Sequence, residues 1–385
     1  MVDFFYPHEL RQSEQKESPM AKDVYQKLRR HLDDLPGGYP TTESGVELRI
    51  LRRLFSPEEA ELAMKLTVIP EPGAVVARRA KKPLEELTPL LDEMARKGLI
   101  FRYEYKSQVM YMAAQYVIGI WEYHVNDLDP ELIKDMNEYI PHLFKPEDWQ
   151  KAPQLRTIPV GRSLTPEHEV LHYEAAEELV RTQKKFLVAP CICRKEQHIK
   201  GQMCGKPMEV CLVFGWGADY YQRNGLGRVI TLEETLDILR RADQEGLVLQ
   251  PSNTQDITNI CCCCGDCCVS LRSLKLHPAP ARICSTPFVV QAEADECDGC
   301  ETCLERCQME ALSMEDDVVA VAAERCIGCG LCVSTCPSEA LKLVRKPDYN
   351  DDVPINTMDA MQRRAQARAL AKKELESKLE RHQRI

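Results

Sequence analysis

The chain has 385 residues with a formal net charge of −10, and is 44% hydrophobic and 29% charged. That length and apolar share let the chain bury real cores and suit two or three packed domains. The longest apolar run, Met110 to Trp121, is far too short to cross a bilayer, so no membrane insertion is expected.

In chain order, residues 1–45 read as an N-terminal extension and 46–150 as a folded module. The stretch GVELRILRRLF is helical, and Ser56 with Pro57 caps the next helix, EEAELAMKL. GAVVARRA and PLEELTPLLDEMARKG follow, the latter with Leu84, Leu87, Leu91 and Met94 on one stripe and Gly98 as its stop. LIFRYEY and VMYMAAQ then alternate as two strands around Lys106 and Ser107. Helices followed by such a hairpin resemble a winged helix-turn-helix domain, which implies a protein-docking module, a DNA reader or a purely structural subdomain. The helix that would enter a groove carries Glu85, Glu86, Asp92 and Glu93 against Arg96 and Lys97 at its end, although Arg78, Arg79, Lys81 and Lys82 precede it. Charge therefore favours docking to protein over nucleic acid.

Residues 151–290 read as a cysteine-rich α+β domain. TPEHEVLHYEAAEELV is a helix with His168 and His172 one turn apart; these and His198 read as surface histidines, because abundant thiolates outcompete imidazole for iron. Cys191, Cys193, Cys204 and Cys211 come next, then the run ICCCCGDCCV with Cys261, Cys262, Cys263, Cys264, Cys267 and Cys268; Cys284 stands alone. In an extended segment Cys261 and Cys263 face one way and Cys262 and Cys264 the other, and Gly265 with Asp266 provides a turn that brings Cys267 or Cys268 back. Between the groups lies a helix capped by Thr231 and Glu234 and stopped by Gly246, at whose end the two groups would meet. NGLGR lacks the strand and spacing of a dinucleotide loop and reads as a turn, so no nucleotide cofactor is expected. All nineteen cysteines fall between Cys191 and Cys336, and no signal pattern precedes them, which points to a reducing cytoplasm and to metal or redox chemistry. Cys191, Cys193, Cys204, Cys211, Cys261, Cys263, Cys264 and Cys267 are the expected ligands of a third [4Fe-4S] cluster, with structural zinc, unligated buried thiols and a division into two sites as alternatives. Arg194 stands where it would offset thiolate charge.

Residues 291–346 carry C-x2-C-x2-C-x3-C-x2-E-A-L twice, with Cys297, Cys300, Cys303 and Cys307 recurring 29 residues later as Cys326, Cys329, Cys332 and Cys336. This repeat resembles the bacterial two-cluster ferredoxins. The resemblance implies one [4Fe-4S] cluster on Cys297, Cys300, Cys303 and Cys336, and a second on Cys326, Cys329, Cys332 and Cys307. One departure is that Gln308, not proline, follows Cys307, whereas Pro337 follows Cys336. From Ala292 to Asp317 ten acidic residues face the single basic Arg306, a charge suited to a partner with a basic patch. From Tyr173 to Val344, and more weakly before it, the chain resembles a family of uncharacterised anaerobe-type 4Fe-4S binding proteins, which implies electron carriage without naming a substrate.

Residues 347–385 form a polar linker and a basic helical tail, read as a solvated helix or a clamp on a partner subunit. The expected fold is thus α+β: a winged-helix-like module, a cysteine-rich domain, a ferredoxin-like domain and a helical tail. The expected function is iron-sulfur relay of single electrons between redox partners within a larger oxidoreductase complex. A redox-sensing DNA-binding regulator and an oxidoreductase acting on substrate at the third cluster are the alternatives.

Overall fold

A computed structural model describes residues 19–144, 150–164, 171–347 and 349–383; His168 of the histidine pair lies outside them. The first helix, α1 (Pro19–Asp34), buries Val24, Tyr25, Leu28 and Leu32. Their three- and four-residue spacing makes one apolar stripe that needs a cover, and Tyr25 donates to the Phe55 carbonyl at 2.9 Å. Residues 19–45 are therefore part of the N-terminal core rather than an appendage to it.

Helices α2 (Val46–Leu54) and α3 (Pro57–Ala63) follow. Entry to α3 is fixed by reciprocal caps, Glu59 N–H to Ser56 Oγ at 3.2 Å and Ser56 N–H to Glu59 Oε2 at 2.8 Å. Then come β1 (Glu71–Pro72), α4 (Gly73–Ala80), α5 (Leu84–Arg96), β2 (Ile100–Tyr105) and β3 (Gln108–Ala113), the strands forming an antiparallel sheet in the order β1-β3-β2. On α5 the stripe holds at Leu87, Leu91 and Met94, but Leu84, in the first turn, is 43% exposed. Helix α6 (Pro130–Leu143) closes this half through ion pairs from Arg49 to Asp135 (3.1 Å) and Glu138 (2.8 Å).

The middle of the chain runs α7 (Ala176–Arg181), β4 (Phe186–Pro190), α8 (Ile192–Ile199), β5 (Glu209–Phe214), α9 (Gly215–Arg223), β6 (Arg228–Ile230), α10 (Leu232–Gln244), β7 (Val248–Pro251), β8 (Asn259–Cys263) and α11 (Val269–Leu276). His172 lies in a short 3-10 turn before α7 and is exposed, as is His198 on α8. Its five strands form one antiparallel sheet in the order β6-β4-β5-β8-β7. Strand alternation assigns its two faces: Leu187, Ala189 and Val213 join the N-terminal core, while Val188, Leu212, Phe214 and Ile260 join a second core shared with the C-terminal part. Helix α9 packs in the first core, where Tyr220 donates to the Ala95 and Ile100 carbonyls and stacks on Phe101 at 4.4 Å. The N-terminal and middle parts thus share a core across position 150.

The C-terminal part contains β9 (Phe288–Ala292), α12 (Thr302–Arg306), β10 (Leu312–Glu315), β11 (Val318–Val321) and β12 (Leu341–Arg345), with antiparallel pairs β9–β12 and β10–β11. A strap through residues 157–160 ties it to the sheet: Ile158 N–H reaches the Leu249 carbonyl (3.2 Å), Thr157 N–H that of Ser285 (2.9 Å) and Val160 N–H that of Cys329 (3.1 Å). Buried Asp243 on α10 adds a polar anchor, meeting Arg162 at 2.6 Å, Ser334 at 2.8 Å and Arg306 at 3.3 Å.

The last helix, α13 (Thr357–Gln383), returns to the N-terminal half. Arg368 meets Asp33 at 3.0 Å, and Arg364 donates to the Ala152 carbonyl at 3.2 Å. The basic face read as solvated or as a clamp on another subunit is, over these turns, spent on the chain's own α1 and residues 150–154. Among the described residues no helix is long and apolar enough to cross a membrane.

Candidate metal centres

Two small cavities lie in the C-terminal part. One, of about 10 Å³, is lined by Cys297, Cys300, Cys303 and Cys336; the other, of about 20 Å³, by Cys307, Cys326, Cys329 and Cys332. The fourth cysteine of each half thus crosses to the other half's triplet. Burial pushes the thiols of Cys303, Cys326, Cys329 and Cys332 up, as expected of groups that ionise at the gain of a cation. Gly328 sits at φ 62°, and a Cβ there would lie 2.3 Å from the Phe288 carbonyl oxygen, so the loop around the second cavity closes only with glycine.

In the middle domain the two cysteine groups meet through strand pairing, since Cys211 on β5 stands opposite Cys261 on β8. The capped helix α10 is not what joins them. Cys191, Cys193, Cys268, Cys263, Cys261 and Cys211 interact thiol to thiol in one series. Their acidities alternate. The neighbour Cys211 holds Cys261 well below the usual thiol range, and Cys193 does the same for Cys268 and, more mildly, for Cys191. Cys193, Cys211 and Cys263 are pushed up because each keeps the proton it shares with that neighbour. Such a set ionises as a unit, and a bound cation is what would let the remaining thiols deprotonate.

A second group comprises Cys204, Cys264 and Cys267, whose sulfurs all lie within 4.8 Å of one another, with Cys204 and Cys264 at 3.9 Å. Thiolates around a tetrahedral ion with bonds of about 2.3 Å stand about 3.8 Å apart, so this triplet has the spacing of ligands converging on one metal atom. Arg194 lies between the groups, fully buried, donating to the Pro207 (2.8 Å) and Cys262 (2.9 Å) carbonyls. Burial disfavours its charge, but nearby Cys191 and Cys264 outweigh that and hold it protonated. Of the eight expected middle-domain ligands, five fall in the larger group and three in the smaller. Cys268 was not among them, yet joins the larger group from the N-terminus of α11; the turn at Gly265 was the signal for it. Cys262, on the opposite face of β8, belongs to the second core, where burial raises its thiol. Cys284 pairs with Thr157 Oγ1 at 3.1 Å.

The larger thiol group forms one wall of a cavity of about 230 Å³ enclosed by the N-terminal core, the five-stranded sheet and α13. Glu122 lines it, accepting from Gly119 N–H at 2.7 Å, and burial raises its carboxyl to about 8.

The thiol-rich run also touches the C-terminal part. Gly265 N–H donates to Gln308 Oε1 at 2.7 Å, and Gln308 directly follows Cys307. Residues 296–356 match the family of the 4Fe-4S dicluster domain. The C-terminal part is therefore a ferredoxin-type iron-sulfur domain, and the two interleaved four-cysteine cavities fit its two clusters. Neither the curated proteins nor the solved structures compared with the chain give a match.

Proposed function

We propose that this chain relays single electrons between a surface-docked redox partner and a third iron-sulfur site in the middle domain, as part of a larger oxidoreductase assembly. Thiolate-bound iron-sulfur cubes supply one-electron chemistry with little ligand movement. Cys297, Cys300, Cys303 and Cys336 are assigned to the outer cluster, and Cys326, Cys329, Cys332 and Cys307 to the inner one. Cys191, Cys193, Cys211, Cys261, Cys263 and Cys268 supply the third site's ligands. The observation that carries this reading is the 2.7 Å bond from Gly265 to Gln308, which seats the middle thiol loop on the residue beside Cys307.

Direction follows from the surface. Cys300 is exposed, and all ten carboxylates between Glu293 and Asp317 are exposed around it. A field of that sign steers a partner with a basic docking face. The order helix, strand, helix, helix, hairpin from α3 to β3 supports a winged-helix-like reading of the N-terminal half. Its cations support docking to protein rather than to DNA: Arg79 is held by Glu71, Lys82 by Glu58 (2.7 Å), Lys97 by Glu59 (2.7 Å) and Arg102 by Asp92 (2.7 Å). A gel shift at low salt is expected to show no duplex binding.

The deciding experiment is iron and acid-labile sulfide per chain in anaerobically prepared protein, with EPR after reduction. About twelve irons are expected from three four-iron centres. About eight, with the remaining metal absent or zinc, refutes the relay into the middle domain.

A further inference from the structure

The cavity between the middle thiols and the N-terminal core is an order of magnitude larger than either cavity bounded by the ferredoxin cysteines, about 230 Å³ against about 10 and 20 Å³. An iron-sulfur centre on the thiol wall leaves most of it free. By comparison, an apolar protein cavity of about 150 Å³ accepts a benzene ring. The space is large enough for an organic molecule of ring size or more.

Its walls state what kind. Away from the cysteines they are mostly apolar, with Phe101, Trp121, Trp216 and Met361 among them. Yet four buried side chains on the lining, Gln115, Trp121, Arg194 and Asn253, have polar atoms, Oε1, Nε1, Nε and Oδ1, with no hydrogen-bond partner among the described residues. Buried polar atoms left unpaired cost about 1–3 kcal/mol each, so they mark places where a ligand's own polar groups are met.

The third feature is Arg364. It reaches the lining from α13 and is 9% exposed, and it donates to the backbone carbonyls of Ala152 (3.2 Å) and Pro153 (3.5 Å). No carboxylate pairs with it among the described residues, and burial with neighbouring Arg368 presses its pKa down to about 10. A buried guanidinium in this state gains most from an anion, and its planar fork matches a carboxylate. Besides Arg194, which is engaged with the thiols, no other Lys or Arg among the described residues lines the cavity, so a doubly charged phosphate would be under-neutralised. Glu122, also on the lining, is already engaged, accepting from Gly119 N–H at 2.7 Å.

We infer that this cavity binds an organic monocarboxylate with an apolar body, its carboxylate on Arg364 and its body between the aromatic wall and the thiol wall. The C-terminal helix is then a wall of the ligand site, its residues Thr357, Ala360, Met361 and Arg364 following one helical face.

The test uses full-length, iron-loaded protein under anaerobic conditions and calorimetric titration with benzoate, phenylacetate and hexanoate, each against its matching alcohol. A charge-assisted contact makes the acids bind roughly ten- to a hundredfold more tightly than the alcohols. Arg364→Gln brings acid and alcohol to within about threefold of each other, Arg364→Lys keeps most of the preference, and Ala360→Trp, which fills the cavity from α13, removes binding of both. Alcohols that bind as tightly as acids, absence of binding by every acid, or full binding in Ala360→Trp overturns the inference. Iron content measured on the same samples reports the metal centres separately, so a failure here leaves the relay standing, and a failure of the iron count leaves the titration interpretable.

Discussion

Gly265→Ala tests whether the middle thiol loop is truly seated on the ferredoxin domain. The added methyl would lie 2.7 Å from the Gln308 carbonyl oxygen, 3.0 Å from Lys275 Cε and 3.1 Å from Gln308 Oε1. Lys275 is flexible and swings away. The Gln308 backbone does not, because Arg325 holds the next two carbonyls, those of Met309 (3.1 Å) and Glu310 (3.2 Å), and Ala311 N–H rests on Cys307 Sγ at 3.2 Å. Ordinary Cβ contacts begin near 3.4 Å, so the two loops must part by about 0.7 Å. Overpacking of this kind costs about 1–3 kcal/mol, and the strained Gly265–Gln308 hydrogen bond adds about 1 kcal/mol. The φ of Gly265 is not in the left-handed region, so backbone strain contributes nothing and the effect reports the contact alone. Anaerobic urea titration followed by visible cluster absorbance should show Gly265→Ala destabilised by about 2–4 kcal/mol and Gln308→Ala by about 1 kcal/mol. A Gly265→Ala protein within about 0.5 kcal/mol of wild type would mean that the loops are not in contact, and the proposed electron route would lose its support.

Cys268→Ser should lower iron from about twelve to about eight per chain, whereas Cys262→Ala, on the other face of the strand, should leave it unchanged; equal losses in both would dissolve the division of the run. Asp243→Ala leaves Arg306 without its buried partner and should cost about 3–5 kcal/mol in the same urea titration, with proteolysis between the middle and ferredoxin domains as a second readout. Glu122 has a folded-state pKa of about 8 against an ordinary 4.5, so the folded state holds the proton more tightly than the unfolded one. Its contribution to stability is present at low pH and fades as pH rises through about 8, a loss of about 2 kcal/mol between pH 6 and pH 8. Glu122→Gln should flatten that slope, and parallel pH profiles for the two proteins would contradict the burial argument.

Much of this was legible locally and little of it globally. The helices of the N-terminal half announce themselves through Ser56–Pro57, the Leu87–Leu91–Met94 stripe and Gly98, because caps, apolar period and stop signals act within a few residues. The ferredoxin cysteines are legible for the same reason, their spacing being a local property of two tight loops. The apolar stripe of α1 lay in a segment read as an extension, because nothing in its own residues says what covers it. The pairing of Cys211 with Cys261 depends on β5 and β8 lying side by side, with about fifty residues between them, and no short-range signal encodes that. The same applies to Arg364, whose neighbours on α13 read as a solvated basic helix until the fold brings that face to the cavity.

Six cysteines in eight positions do not all serve one metal, and the reason is strand geometry. While the chain is extended in β8, successive side chains must alternate faces. Cys261 and Cys263 therefore share the face that meets Cys211 and Cys268, and Cys262 alternates away from it as a small buried group whose thiol burial raises. Once the strand ends, the turn at Gly265 and Asp266 redirects the chain, sending Cys264 and Cys267 to Cys204 while Cys268 returns to Cys193 and Cys263. Had the run stayed extended, Cys268 would fall on the same face as Cys262 and away from the larger group. The two residues that are not cysteine thus decide which thiols meet. Lengthening the turn by one glycine after Gly265 should detach Cys267 from Cys204 and Cys264, and Cys268 from Cys193 and Cys263, costing iron at the middle domain while the ferredoxin EPR signals persist. An insertion mutant that retained about twelve irons would show that the grouping does not depend on this turn.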